Sequence, residues 1–215
     1  MVKIVGDNIT IGLEVHCQLT GLRTKLFCSC SADYRDEKPN VLVCPTCMGL
    51  PGSLPVLNIK AVEYASKIAL ALGSKLSDRM IFFRKNYFYP DLPKNFQITQ
   101  YHRGGSRPIS VGGFIILDDG YEVRLTRMQL EEDPAKITYE GTITSSSYSL
   151  VDYNRAGIAL VEIVTEPDLR SPRQAREFLE KLRSILEHLV VFDGGLEGSM
   201  RCDANISMYD RNRVE

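Results

Sequence analysis

Residues 9–19 alternate without a break: Ile9, Ile11, Leu13, Val15, Cys17 and Leu19 fall on one side, Thr10, Gly12, Glu14, His16 and Gln18 on the other. A period of two predicts a half-buried strand. Ser199–Met208 repeats the pattern, with Met200, Cys202, Ala204, Ile206 and Met208 facing a core and Arg201, Asp203, Asn205 and Ser207 facing away. Phe114–Leu117 and Tyr121–Leu125 flank Asp118-Asp119-Gly120, a hairpin signal whose second strand runs toward Glu131-Glu132-Asp133. Ile158–Val164 is a nearly continuous apolar run, as a buried central strand requires, and Glu162 inside it needs a partner. Ile137–Tyr139 predicts a further short strand.

Two segments switch to the helical period. Asn58 caps a helix running to about Leu72, with Ala61, Ala65, Ile68, Ala69 and Leu72 on one face and Gly73 as its stop. Ser171-Pro-Arg-Gln174 is a capping box ahead of the stripe Ala175, Phe178, Leu179, Leu182, Leu186 and Leu189, with His188 beside it toward solvent. The strands at 9–19, 121–132, 158–164 and 199–208 are therefore expected in one sheet, with helices 58–72 and 172–190 on its apolar side.

The polar strand faces carry candidate chemistry. Alternation puts Glu14 and His16 side by side, where they can share a divalent cation; a solvated strand face has the same pattern. Alternation breaks just before the three acids at 131–133, so a bulge there is expected to turn Glu131 or Glu132 inward. Asp152, Asn154 and Arg155 form a polar cluster ahead of the buried run.

Residues 84–100 fit neither period, and Pro90 and Pro93 would interrupt both. This aromatic stretch reads as an Ω-like loop pinned to the core, or as a pre-organised cationic wall of Arg84, Lys85 and Lys94 for phosphate. Beyond it, Tyr101–Gly113 reads as loop or edge, with His102 at the surface. Cys28-Ser-Cys30 and Cys44-Pro-Thr-Cys47, thirteen residues apart, match a closed tetrahedral zinc site of structural type; four unrelated buried thiols are the alternative. Cys17 and Cys202 lie on apolar strand faces and read as core thiols.

Composition narrows the class. The 215 residues are 44% hydrophobic and 25% charged, and 26 cations against 27 acids leave a net charge of −1. Nucleic-acid binding driven by backbone charge alone is excluded, so any such contact must be local. No signal-peptide run and no stretch near ~18 apolar residues occurs, which predicts a cytoplasmic protein with reduced or metal-bound cysteines. Residues 1–215 read as one domain with a zinc-binding insertion at 25–50. The closing Asp210–Glu215 lacks the capping or apolar return of a finished fold, which predicts truncation at that end.

Several strings together resemble one family: Ile11-Gly-Leu-Glu-Val-His16, Lys25-Leu-Phe-Cys-Ser-Cys30, Arg84-Lys-Asn-Tyr-Phe-Tyr-Pro-Asp91, Leu130-Glu-Glu-Asp133, Ser149–Gly157, Glu162–Asp168 and Glu197–Ser207. In this order they are similar to the B subunits of tRNA-dependent Asp/Glu amidotransferases. The related archaeal E subunit differs around Val164–Asp168 and Met200–Asn205, where this chain reads as the B type.

The resemblance implies an α+β fold like glutamine synthetase and the guanidino kinases, with helices on one face of a mainly antiparallel sheet. It implies a catalytic domain in which ATP phosphorylates the side-chain carboxylate of misacylated Asp-tRNA(Asn) or Glu-tRNA(Gln), and ammonia then displaces phosphate. Ammonia would come through a tunnel from a partner amidase, the A-type subunit, with the small C-type subunit completing the heterotrimer. Matched residue by residue, Glu14, His16 and Glu132 would bind magnesium, although histidine is an atypical magnesium ligand. Lys85 would stand at the tunnel mouth. Arg84, Lys85, Lys94 and Arg201 would hold phosphate, and Asp203 a second metal. Phosphoryl transfer calls for cations and metal ligands rather than a nucleophile, and no Ser/Cys–His pair stands out. The family's tRNA-gripping tail lies past residue 215, so tight tRNA binding by this chain alone is not expected. Two rivals are an E-type subunit restricted to Glu-tRNA(Gln) and a non-catalytic zinc module that binds RNA or protein.

Overall fold

The computed structural model describes residues 9–100, 104–142 and 144–209. His102 and the closing residues 210–215 lie outside the described residues. In chain order the elements are β1 (Ile9–Gln18), α1 (Pro45–Met48), α2 (Ile59–Ala71), β2 (Lys75–Leu76), β3 (Phe83–Asn86), β4 (Phe96–Thr99), β5 (Ser110–Val111) and β6 (Phe114–Ile116). Then follow β7 (Glu122–Glu132), β8 (Lys136–Tyr139), β9 (Ser149–Asp152), β10 (Ala159–Thr165), α3 (Pro172–His188) and β11 (Met200–Met208).

The main sheet has the order β11-β1-β10-β7-β4-β3, with β5 and β6 also paired to β7 and β2 to β5. β8 and β9 form a separate ribbon. Each of these pairings is antiparallel, giving an α+β architecture. The four strands expected to share a sheet are adjacent in it.

One face of this sheet is apolar. Leu13, Val15 and Cys17 of β1, Met128 and Leu130 of β7, and Val161 and Ile163 of β10 are buried in the same core as Ala61, Ala65, Ile68 and Ala69 of α2. The small alanines let α2 lie close to the strands. Phe178, Leu182 and Leu186 of α3 complete this layer, each fully buried and contributing roughly 1.5–3 kcal/mol by removal from water. The helix starts fit their caps: Asn58 accepts from the Lys60 amide at 3.0 Å and Ser171 from the Gln174 amide at 3.2 Å. Among the described residues no helix is long and apolar enough to cross a membrane.

Two expectations are corrected. Residues 84–100 are not one irregular loop, because β3 and β4 pair antiparallel from Phe83↔Thr99 to Asn86↔Phe96. Both prolines fall in the connection between the strands, where no ladder bond is lost. The bulge expected just ahead of the acids lies earlier. Val164 faces Arg127 and Thr165 faces Leu125, so Thr126 is the extra residue. From Arg127 to Glu132 the register is regular.

Gly113 joins β5 to β6 against the end of α2, with φ +101° and room for no side chain: a Cβ would lie 2.7 Å from the Leu72 carbonyl oxygen and also meet Ser74. Gly113→Ala is expected to cost on the order of 2–4 kcal/mol, combining left-handed strain with the clash, as read by chemical denaturation.

Candidate functional site

The opposite face of the sheet is polar, and cross-strand register assembles it. His16 of β1 faces Glu162 of β10, which faces Gln129 of β7. Two residues along β7, Glu131 faces Thr99 of β4. His16 Nε2 lies 3.4 Å from Glu131 Oε1 and 4.0 Å from Glu162 Oε2. Gln129 Nε2 donates to Glu162 at 2.6 Å, and the Thr99 hydroxyl donates to Glu131 at 3.1 Å. One donor atom from each of His16, Glu131 and Glu162 falls within 4.8 Å of the others. An imidazole nitrogen and two carboxylate oxygens on three side chains can hold a divalent cation, and the oxygen majority suits a hard one.

The electrostatics are finely set. Burial disfavours the His16 imidazolium, but the hydrogen bond and charge of Glu131, with Glu162 behind, raise its pKa. Burial likewise opposes the Glu131 carboxylate, yet His16, Thr99 and the Lys85 ammonium hold its pKa below the usual value. Glu162 goes the other way: burial, then the charge of Glu131, pushes it up to about 7.

The predicted site residues are divided between two faces. Glu14 and Asp203 are directly opposite each other in register, as are His16 and Arg201, so all four share the polar face. Glu14 adds its charge to the environment of Glu162 but stands outside the three-residue ligand group. Lys85 joins this face, since it is close enough to bias Glu131. Glu132 does not converge with Glu14 and His16. A regular strand turns adjacent side chains to opposite sides, so Glu131 takes the polar face and Glu132 the other. There Glu132 is held by Lys94 Nζ at 2.6 and 2.8 Å and by the Ile98 amide at 3.0 Å.

The expected cationic wall is split for the same reason. Arg84 and Lys94 cover the Phe96 ring at 5.5 and 5.8 Å and line a cavity of about 770 Å³ with Glu132. Phe27, Leu50, Leu54 and Phe83 supply its apolar wall. Lys85 and Arg201 remain with the ligand group.

The four cysteines do converge. The sulfurs of Cys28, Cys30, Cys44 and Cys47 lie within 4.8 Å of one another, compatible with the roughly 3.8 Å edge of a tetrahedron having ~2.3 Å zinc–sulfur bonds. The α1 turn brings in Cys44 and Cys47, and Gly49 ends it at φ +69°. A Cβ on Gly49 would lie 2.6 Å from Lys94 Cγ, so the cysteine turn packs directly on the cavity lysine. Asn154 ties down the same loop, accepting from the Leu42 amide at 2.8 Å and donating to the Lys38 carbonyl at 2.7 Å. Asp152 accepts from the Asn40 amide at 3.0 Å and Arg155 donates to the Pro134 and Ala135 carbonyls, so Asp152, Asn154 and Arg155 all anchor backbone.

Lys25 enters the sequence pattern only as the first residue of the string Lys25–Cys30, with no role of its own. It is fully buried, with Nζ 2.8 Å from the Leu42 carbonyl, 3.4 Å from that of Tyr153 and 3.8 Å from Cys47 Sγ. Hydrogen bonding from Cys28 lowers the Cys47 pKa to about 4, with the Lys25 charge acting in the same direction. A buried ammonium needs a counter-charge, and a tetrathiolate with a divalent ion carries two surplus negative charges. The donor set and its cation therefore fit zinc together. Glu131 and Glu162 were absent from the ligand set that the resemblance implied, although Glu131 was one of the two acids expected to turn inward and Glu162 was marked by its place in an apolar run.

Residues 9–215 match the family described as GatB/GatE catalytic domain. The chain is similar to the B subunit of the aspartyl/glutamyl-tRNA(Asn/Gln) amidotransferase of Sulfolobus acidocaldarius, 57% identical over 208 residues, covering 96% of this chain and 44% of that protein. The proteins of the same name from Methanosarcina barkeri and Methanoregula boonei are 55% identical over 212 residues and 54% over 216. They cover 97% and 99% of this chain, and 42% and 44% of theirs. The chain thus spans less than half the length of these curated relatives.

Lys25→Met is expected to weaken zinc retention on the order of 10–100-fold, measured by transfer to a chromogenic chelator; retention at the unmodified level would contradict the counter-charge role. Glu162→Gln tests the electrostatics. A raised folded-state pKa means the native protein binds this proton more tightly than the unfolded chain, so stability from this group falls as pH rises from 4.5 to about 7. With divalent cations chelated, the variant should gain stability relative to the parent across that window, by on the order of 1–3 kcal/mol at its upper end.

Proposed function

This chain belongs to the GatB/GatE catalytic-domain family, and from that membership we propose that it is the phosphorylating part of a tRNA-dependent amidotransferase. The reaction is ATP-dependent phosphorylation of the side-chain carboxylate of misacylated Asp-tRNA(Asn) or Glu-tRNA(Gln), followed by displacement of phosphate by ammonia to give the amide. The observation that carries this reading is the gathering of His16, Glu131, Glu162, Arg201, Asp203 and Lys85 on one polar sheet face.

In this reading His16, Glu131 and Glu162 hold a magnesium ion. Bound there, magnesium supplies charge neutralisation for transferring phosphate. Glu14 and Asp203 stand directly opposite across two strands. Like charges so placed repel, and a second cation relieves that. Arg201 and Lys85 bind phosphate oxygens from the two ends of the face and orient them, as phosphoryl transfer requires of a protein. Glu132, Lys94 and Arg84 belong to the cavity behind the sheet rather than to the magnesium site. Cys28, Cys30, Cys44 and Cys47 hold a structural zinc, within the 25–50 insertion of a single catalytic domain. Ammonia is supplied by the A-type amidase partner, assembled with the small C-type partner, in the cytoplasm.

A non-catalytic zinc module would leave the buried His16–Glu131–Glu162 group as an uncompensated stability cost. The names of the relatives cover both tRNA(Asn) and tRNA(Gln) products, which favours the B type over the E type. Glu131→Gln, made in the full-length protein within its assembled complex, is expected to lower tRNA-dependent ATP hydrolysis and amide formation on the order of 10²-fold or more. Glutamine hydrolysis on the amidase partner should survive in part. Normal amide formation by that variant would sink the assignment.

A further inference from the structure

We propose that Asp133 is a positioning residue that aims the Arg201 guanidinium at the phosphate being transferred; this rests on the function proposed above. Asp133 is the last of the three acids. It shares the side of Glu131, and its amide continues the strand pairing by donating to the Ile158 carbonyl at 2.8 Å. Its side chain is fully buried, and both carboxylate oxygens are engaged. Arg201 grips it in a two-pronged fork, Nη2 to Oδ1 at 2.8 Å and Nη1 to Oδ2 at 3.2 Å. Gln18 Nε2 donates to Oδ2 at 2.6 Å, and Arg155 Nε lies 3.7 Å from Oδ1.

The need for such an anchor follows from where Arg201 starts. It lies on β11, the edge strand, opposite His16, and its side chain is 36% exposed. A long arginine on an edge samples many rotamers, and a fork to a planar carboxylate removes that freedom while fixing the plane of the guanidinium. The anchor is itself held. Arg155 donates to the Pro134 carbonyl at 2.8 Å and the Ala135 carbonyl at 2.7 Å, which leaves it no latitude to draw Asp133 away. Gln18 accepts from Arg35 Nη2 at 2.5 Å, and its amide group also donates to the Tyr34 hydroxyl at 3.1 Å. The aim of Arg201 is therefore braced by the loop that carries the cysteines.

The outer edge of Arg201 stays open to an anion. Asp133 faces the guanidiniums of Arg155 and Arg201, with that of Arg35 one residue removed through Gln18, while the charge of Glu131 also acts on Arg201. Apart from the fork, Nη1 has a long contact with the Gly198 carbonyl at 3.4 Å, so the guanidinium edge turned away from Asp133 is free to meet a phosphate.

The test uses the full-length protein in its assembled complex, with tRNA-dependent ATP hydrolysis and thermal melting as readouts. Asp133→Asn replaces one acceptor by a donor facing Arg201 and Gln18. It is expected to lower kcat on the order of 10–100-fold with little change in the KM for misacylated tRNA, and to have no further effect once Arg201→Ala is present. Full activity in Asp133→Asn, or independent effects of the two substitutions, would overturn the proposal. Arg201→Lys covers the case in which Asp133→Asn fails to assemble, because it keeps the charge and loses the fork. Loss comparable to Arg201→Ala supports aiming, and wild-type activity overturns it. If Arg201→Ala itself leaves ATP hydrolysis intact, the parent reading of the site fails instead.

Discussion

The strict alternation of one central strand sorts three consecutive acids into three different jobs. Glu131 on β7 and Asp133 just beyond its end point to the polar face and Glu132 to the other. Each then meets a distinct partner: the His16 imidazole for Glu131, Lys94 for Glu132, and Arg201 for Asp133. Three carboxylates packed together without this sorting would repel one another and resist burial. Because neighbouring strands bring a matching partner to each, all three are nearly inaccessible to water. Without the one extra residue at Thr126, the register from Leu125 onward would shift by one, and the three would exchange faces and lose those partners together.

Charge at the ligand group is deliberately unbalanced. His16 is raised and Glu131 lowered, while burial and the charge of Glu131 push Glu162 up to about 7. Burial and the charges of close neighbours pull in opposite directions here, and which of them wins differs from one residue to the next.

The cysteine loop is more than an appendage. Lys25 places an ammonium among its sulfurs, Gly49 lets it press on Lys94, Asn154 pins its backbone, and Gln18 links Tyr34 and Arg35 to the Asp133 anchor. The loop thereby braces both sides of the sheet: the cavity with Glu132 on one, and Arg201 on the other. A loop with little regular structure of its own gains a fixed shape from its four-sulfur cluster, which is the usual reason for a closed thiolate site.

Local pattern alone fixed much of this. Alternation in 9–19 and 199–208 gave the strand faces that hold Glu14, His16, Arg201 and Asp203, cap signals gave both long helices, and spacing gave the four cysteines. These are short-range properties, set by the geometry of consecutive residues. Tertiary structure decided what depends on register between distant strands. Glu131 rather than Glu132 meets His16 because β10 fixes β7 against β1, and the one extra residue at Thr126 sets that parity. Arg84 and Lys85 part company because residues 83–86 pair as a strand, which the aromatic and proline content of the stretch concealed. Lys25 and Asp133 acquired their partners from chain segments more than a hundred residues away, Tyr153 and Gln18 respectively. Their roles come from long-range contacts that no local period encodes.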